Sequence, residues 1–217
     1  TLGFFLSGHP LDPWQDELKQ LSVCALTDIE KVWRERKDRR GEALVVVTGI
    51  ISTMRRRGEN QAFVLIDDGF ASLECSFFNE AYSDSAGMLT RDRIVFIEGN
   101  VREDSFNGGF SLRAKRCWDF QSVLLNSSQS LHCKIDLCQP DAWQALQNLI
   151  ARFRPGHTPL FLNVLTAKAE GKLATPSSYA LRCEPNLMNQ LRQIEGISNV
   201  SVTIQKPWLT VQVGALA

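Results

Sequence analysis

The sequence carries no net charge. Its 24 Lys and Arg balance 24 Asp and Glu over 217 residues, and the pI is about 6.8. A uniformly basic coat for nucleic acid is excluded, while a local basic patch is not. No apolar run approaches the roughly 18–20 residues of a membrane span, so a soluble chain without a membrane partner is expected. No signal peptide is expected here: Thr1-Leu2-Gly3 holds no basic residue, and Gly8-His9-Pro10 breaks the early apolar run. Residue 1 is not Met, so a piece of something longer is expected. The six cysteines, Cys24, Cys75, Cys117, Cys133, Cys138 and Cys183, form no C-x-x-C pair. They read as reduced core thiols of a cytoplasmic protein, not as a disulfide framework.

Motifs of catalysis are absent too. There is no G-x-S-x-G, no H-E-x-x-H and no Walker-type glycine loop. Of three histidines, His9 sits between Gly8 and Pro10 and reads as a turn residue. His132 with Cys133 and Cys138 matches no zinc spacing. The pair Asp67-Asp68 stands directly before Gly69, which suits a β-turn better than a two-metal site. No catalytic residue, metal ligand or cofactor is expected in these residues.

What is present is ordinary globular composition, 44% hydrophobic and 22% charged, arranged in segments of different texture. Residues 1–40 read as a helical lead-in. Asp12-Pro13 starts one helix through Trp14, Leu18 and Leu21, and Thr27 or Asp28 starts another through Ile29 and Val32. The stretch Lys31–Arg40 holds six basic and two acidic residues. It is either a solvated helix face or an edge that tracks phosphates.

From residue 43 the period changes. Ala43–Ser52 is a long β-branched strand, and Arg55-Arg56-Arg57-Gly58 reads as a turn. Gln61–Asp67 and Ser72–Phe78 flank Asp68-Gly69, a strong turn signal. Asn79 can cap a short helix to Met88. Arg93–Arg102 and Phe110–Cys117 flank the turn Asn107-Gly108-Gly109. Three strands, a helix and two strands is the order of a five-stranded OB-fold barrel over 41–120. Gly49 fits a barrel corner, where a Cβ is unwelcome. Residues 121–130 end in a polar patch and read as a linker. Residues 131–217 then read as strand 131–138, helix 141–153, strands 159–166 and 178–183, a helix from Pro185, and strand 199–205. That order is βαββαβ, the ferredoxin-like pattern. The fold class is α+β, mostly β.

OB-folds hold single strands across strands two and three and the loops beside them. The residues placed there are Arg55, Arg56 and Arg57 in the first loop, and Phe106 in the loop after strand four. Phe63 is outward if Ala62, Val64 and Ile66 fill the barrel, and Arg102, Arg113 and Lys115 can meet phosphates. Residues 41–120 hold nine basic and twelve acidic residues, so purely electrostatic binding should be weak and local.

The opening Leu2-Gly-Phe-Phe-Leu-Ser-Gly-His-Pro10 resembles the L-G-x-x-x-[ST]-G-H-P segment of the alpha subunit of bacterial DNA polymerase III. Phe63–Asp68, Leu73–Phe78 and Arg91–Gly99 resemble the strands of the OB domain that follows in that family, and Tyr179–Pro185 is similar to its last domain. The resemblance implies a non-catalytic C-terminal part of a replicative polymerase. The parent would be a DNA-directed nucleotidyltransferase using Mg2+, with its catalytic aspartates and its sliding-clamp peptide before residue 1. It further implies template handling by the OB domain and docking of the clamp-loader tau subunit by the last domain. Leu187, Leu191, Trp208 and Leu209 are the candidate docking residues. The alternatives are an error-prone paralogue of the same subunit and a free-standing single-strand-binding module.

Overall fold

The computed structural model describes residues 9–21, 23–105 and 108–210, with Leu209 and Thr210 described by backbone alone. The opening motif up to Gly8 lies outside them, as do Phe106 and Asn107. The chain forms two compact units, Thr1–Phe120 and Gln121–Ala217. Among the described residues no helix is long and apolar enough to cross a membrane.

The first unit is a closed barrel with strand order β1-β2-β3-β5-β4. Its strands are β1 (Ala43–Arg56), β2 (Gln61–Asp67), β3 (Ser72–Phe78), β4 (Ile94–Glu103) and β5 (Phe110–Asp119). Closure depends on β1. Its first half pairs with β4 through Ala43↔Val101 to Ile50↔Ile94, and its second half pairs with β2 through Ile50↔Asp67 to Arg56↔Ala62. At Gly49 the chain turns this corner, where a Cβ would stand 3.0 Å from the Asp67 carbonyl oxygen. The expected turn at 55–58 is shorter than the sequence suggests. Arg55 and Arg56 extend β1 because Phe63 and Ala62 are there to pair with them, and the turn closes by Arg57 N–H donating to Gln61 O at 3.0 Å.

Strict alternation fills the barrel. Ala62, Val64 and Ile66 of β2 and Cys75 and Phe77 of β3 are fully buried, alongside Val47, Ile51, Val95, Ile97 and Leu112. Helix α3 (Asn79–Ser85) adds Tyr82 to the same core; Asn79 does not cap it by side chain, since the N-cap is Phe78.

Two lead-in helices, α1 (Gln15–Leu21) and α2 (Ile29–Arg36), belong to this unit. Helix α2 buries Ile29 and Trp33 in the barrel cluster, and Trp33 meets Phe110 with ring centroids 5.3 Å apart. Leu11, Trp14, Leu18 and Leu21 are buried as well, with Trp14 edge-on to Phe120 at 4.9 Å.

The second unit is a four-stranded sheet of order β8-β7-β6-β9 with two helices on one face. Its strands are β6 (Ser128–Asp136), β7 (Leu160–Leu165), β8 (Glu170–Ala174) and β9 (Ile197–Ile204). The expected linker is structured: α4 (Phe120–Ser127) runs straight into β6, because Val123 and Leu124 are buried and Ser128 and Ser130 pair with β9.

The βαββαβ order holds, with α5 (Ala142–Arg152) and α6 (Pro185–Gln193) as its helices. Two details depart from the ferredoxin-like expectation. The third strand is Glu170–Ala174, not 178–183, where the chain makes a short 3-10 turn and one isolated bridge from Leu181 to Thr158. And β6 and β7 are direct parallel neighbours, not split by an inserted strand. The cause is the composition of β8. All five of its residues are exposed, which suits an edge and not the sheet centre. The last helix, α7 (Pro207–Thr210), is a single turn.

Candidate nucleic-acid interface

The outward face of β2 and β3 carries what the barrel does not bury. Phe63 is half-buried, and its ring meets Phe78 edge-on at 6.0 Å between centroids. The Arg113 guanidinium lies over Phe78, 5.4 Å from the centroid. Register explains this row. Phe63 pairs with Ser76, and Ser76 with Arg113, so one line of outward residues crosses three strands. Phe78, one outward step along β3 from Ser76 and paired with Gln61, completes the row through its ring contacts and is the residue that sequence reasoning missed. The signal was available in the alternation Ser72, Glu74, Ser76, Phe78.

Beside the row lies a groove of about 340 Å³, lined by Phe63, Phe78, Ser76, Ser111, Arg102 and the carboxylates Glu74, Glu103 and Asp104. Its chemistry is mixed. The aromatic rings offer stacking surface. The carboxylates accept from exocyclic amino groups of bases, and Arg102 and Arg113 offer charge to phosphate.

The other expected residues divide. Arg55 is exposed on the Phe63 side, but Nη2 donates to Glu74 Oε2 at 3.0 Å. An exposed ion pair of this kind contributes about 0–1 kcal/mol, so a phosphate can exchange into it. Arg56 pairs with buried Ala62, so it belongs to the opposite strand face and does not join the row. Arg57 is exposed in the turn. Lys115 is exposed on β5 and is the extra residue of a bulge, since Glu98 pairs with Arg116 and Gly99 with Ala114. Phe106 lies outside the described residues. The basic stretch 31–40 is exposed apart from Val32 and Trp33; in it Arg34 pairs with Glu30, and the Lys37 ammonium stands 4.0 Å over the Trp33 ring.

Asp67 and Asp68 are turn residues. Asp67 accepts from Gly69 N–H at 2.8 Å and from Ser72 Oγ at 2.6 Å. Asp68 accepts from Phe70 N–H, Ala71 N–H and, across 42 residues, Leu26 N–H at 3.1 Å. His9 closes on the same turn, with Nε2 3.5 Å from Asp67 Oδ1 and its ring packed on Gly69, Cγ lying 3.1 Å from where a Cβ there would stand. His9 thus fastens the lead-in to the β2–β3 turn. Among the described residues no three His, Cys, Asp or Glu side chains gather as a metal site.

In the second unit the expected docking residues are corrected. Leu187 and Leu191 are 0% exposed and form core with Met188, because α6 turns its apolar stripe to the sheet. Trp208 is buried too, and the side chain of Leu209 lies outside the described residues. Exposed apolar surface lies elsewhere. Trp143, Leu173 and Tyr179 are 43%, 47% and 43% exposed and rim a groove of about 430 Å³ floored by Leu146, Ile150 and Leu162. The Arg154 guanidinium covers the Tyr179 ring at 4.2 Å. Trp143 is the partly uncovered end of the apolar face that buries Leu146, Leu149 and Ile150 of α5.

A closed five-stranded barrel with this outward face defines an OB-fold, followed by a small α/β domain. Residues 45–119 match the family model of the OB-fold nucleic acid binding domain. Over nearly its whole length the chain matches the C-terminal region of DNA polymerase III subunit alpha. The subunit of Xylella fastidiosa (strain 9a5c) is 34% identical over 222 residues, covering 96% of this chain and 19% of the relative. That of Pseudomonas aeruginosa is 30% identical, covering 92% and 17%. The Escherichia coli (strain K12) subunit is 26% identical, covering 93% and 17%. The chain thus spans about a fifth of the length of the curated relatives it matches. Solved structures similar to it include asparaginyl-tRNA synthetase from Pyrococcus horikoshii (18% identity, TM-score 0.37, 46% of this chain and 23% of that one).

Proposed function

We propose that this chain is a non-catalytic accessory part of a replicative DNA polymerase, guiding the single-stranded template and docking a replisome partner. The polymerase chemistry, with its Mg2+, belongs to a parent chain, as does contact with the sliding clamp. The observation that carries the template reading is the Phe63–Phe78–Arg113 row on a barrel whose relatives are polymerase alpha subunits. Stacking bases on two rings needs little charge, which suits a barrel with more acidic than basic residues. The test is fluorescence anisotropy of the full chain with a labelled oligothymidylate. Phe63→Ala and Arg113→Ala should each weaken binding about tenfold. Affinity unchanged in both variants would remove the barrel from template handling.

For the partner we propose the clamp-loader tau subunit, seated on the Trp143–Leu173–Tyr179 groove. Exposed aromatics over an apolar floor, flanked by an Arg, have the make-up of an interface anchor. Titration of tau into the chain should give binding that Trp143→Ala weakens at least tenfold and Leu187 variants affect only through folding. A folded chain that fails to bind tau would favour an error-prone paralogue.

A further inference from the structure

The sheet of the second unit has one covered face and one open face. Leu131, Cys133, Ile135, Leu160, Leu162 and Val202 alternate into the covered side and are buried. Between them His132, Lys134, Phe161, Asn163, Lys172 and Ser201 share the open side. His132, Phe161, Lys172 and Ser201 are exposed.

Register places His132 beside Phe161 on adjacent parallel strands, and the two rings stack with centroids 4.9 Å apart and planes 11° from parallel. The imidazole Nε2 is held 2.9 Å from Ser130 Oγ. Two residues along the strands, Lys134, Asn163 and Lys172 form a second row across three strands. Lys134 Nζ stands 3.2 Å from Glu170 Oε1, while Lys172 has no ion pair among the described residues.

Charge agrees with the rings. Residues 121–217 hold eight Lys and Arg against five Asp and Glu, a net of +3, whereas the neutral whole leaves −3 for residues 1–120. A polyanion is therefore drawn to the second unit more than to the barrel. An apolar protein partner fits this face poorly. Phe161 is its one exposed large apolar side chain among the described residues; around it stand Lys, His, Asn, Ser and Thr, with Ala174 beside it and half-buried Leu165 and Asp136 and exposed Glu170 confined to one end.

We propose that this open sheet face is a second platform for single-stranded DNA, distinct from the barrel. A base extends the His132–Phe161 stack, its phosphates meet Lys172 and Lys134, and the Asn163 amide and Ser201 hydroxyl reach the base edge. Sheet faces serve single strands in this way wherever aromatic rings lie open between basic side chains.

The test uses the full chain with the barrel row disabled by Phe63→Ala and Arg113→Ala together. A labelled oligothymidylate should still bind, as read by anisotropy. Adding Phe161→Ala should weaken that residual binding about tenfold, and Phe161→Trp should preserve it. Lys172→Ala should flatten the dependence of log affinity on log salt by about 0.7, the value for one lost single-strand phosphate contact. Photocrosslinking with a bromodeoxyuridine oligonucleotide should label the peptide carrying Phe161. The proposal falls if the barrel variant loses all binding, or if crosslinks map only outside β6 to β9. It falls equally if Phe161→Ala and Lys172→Ala both leave affinity unchanged. If Phe161→Ala lowers the thermal midpoint, the exposed Lys172→Ala variant decides alone. Failure of the barrel reading is separable: wild-type affinity would then be untouched by Phe63→Ala and Arg113→Ala.

Discussion

Gly99 is where the barrel is least able to accept a side chain. It lies in β4 beside the bulge, and a Cβ there would stand 2.3 Å from the Arg113 carbonyl oxygen and 2.9 Å from its carbonyl carbon. Those are backbone atoms of the neighbouring strand, so no rotamer change relieves the clash. The strands would have to part by about 1 Å, breaking ladder hydrogen bonds beside buried Val101 and Leu112. Overpacking of this kind costs about 1–3 kcal/mol, and the disturbed pairing adds about 1 more. Working against it, Ala restricts the unfolded chain and returns about 0.4–1 kcal/mol. Gly99→Ala should therefore destabilise the barrel by about 2–3 kcal/mol. Gly87 supplies the control, since nothing lies within 4 Å of its Cβ position and its φ is ordinary. Gly87→Ala should be neutral or slightly stabilising. Urea unfolding should be followed by tryptophan fluorescence and, for the barrel alone, by pulsed alkylation of Cys75, which is fully buried. A Gly99→Ala midpoint equal to that of Gly87→Ala would refute the bulge and the close β4–β5 approach.

Leu191→Ala should cost about 2–5 kcal/mol, the range for a buried leucine, measured by thermal or urea unfolding; a surface docking residue would cost under about 0.5. Asp68→Ala removes an acceptor of three backbone N–H groups, including the tie to Leu26, and should destabilise the first unit by about 1–3 kcal/mol by the same assay. Ellman's reagent at pH 8 should modify exposed Cys138 first, with Cys75, Cys133 and Cys183 protected until unfolding. Burial pushes the Cys117 and Cys133 thiols from 9.0 up to about 12. The native chain then keeps protons that the unfolded chain loses. Stability should be insensitive to these groups below pH 9 and fall between pH 9 and about 12, by about 1.4 kcal/mol per pH unit per thiol, a slope that Cys117→Ala reduces.

The barrel was legible because its elements are local. β2 and β3 alternate with period two, Asp68-Gly69 marks their turn, and their observed bounds, Gln61–Asp67 and Ser72–Phe78, are those expected. Phe63 could be placed outward for the same reason. The second unit was legible only as an order of elements. The sequence by itself determined the OB-fold, the βαββαβ order and the turn role of Asp67-Asp68, since alternation, turn chemistry and carboxylates capping nearby N–H groups act between residues close along the chain. It misplaced the third strand of the second unit, because Glu170–Ala174 carries one large apolar residue, Leu173, too few to show an alternation. Tertiary structure alone decided that Leu187 and Leu191 are core while Trp143, Leu173 and Tyr179 rim a groove, and that His132 stacks on Phe161. An apolar stripe says that a face will be covered. What covers it, and which of its ends stays bare, depends on strand order and on contacts between residues far apart in sequence.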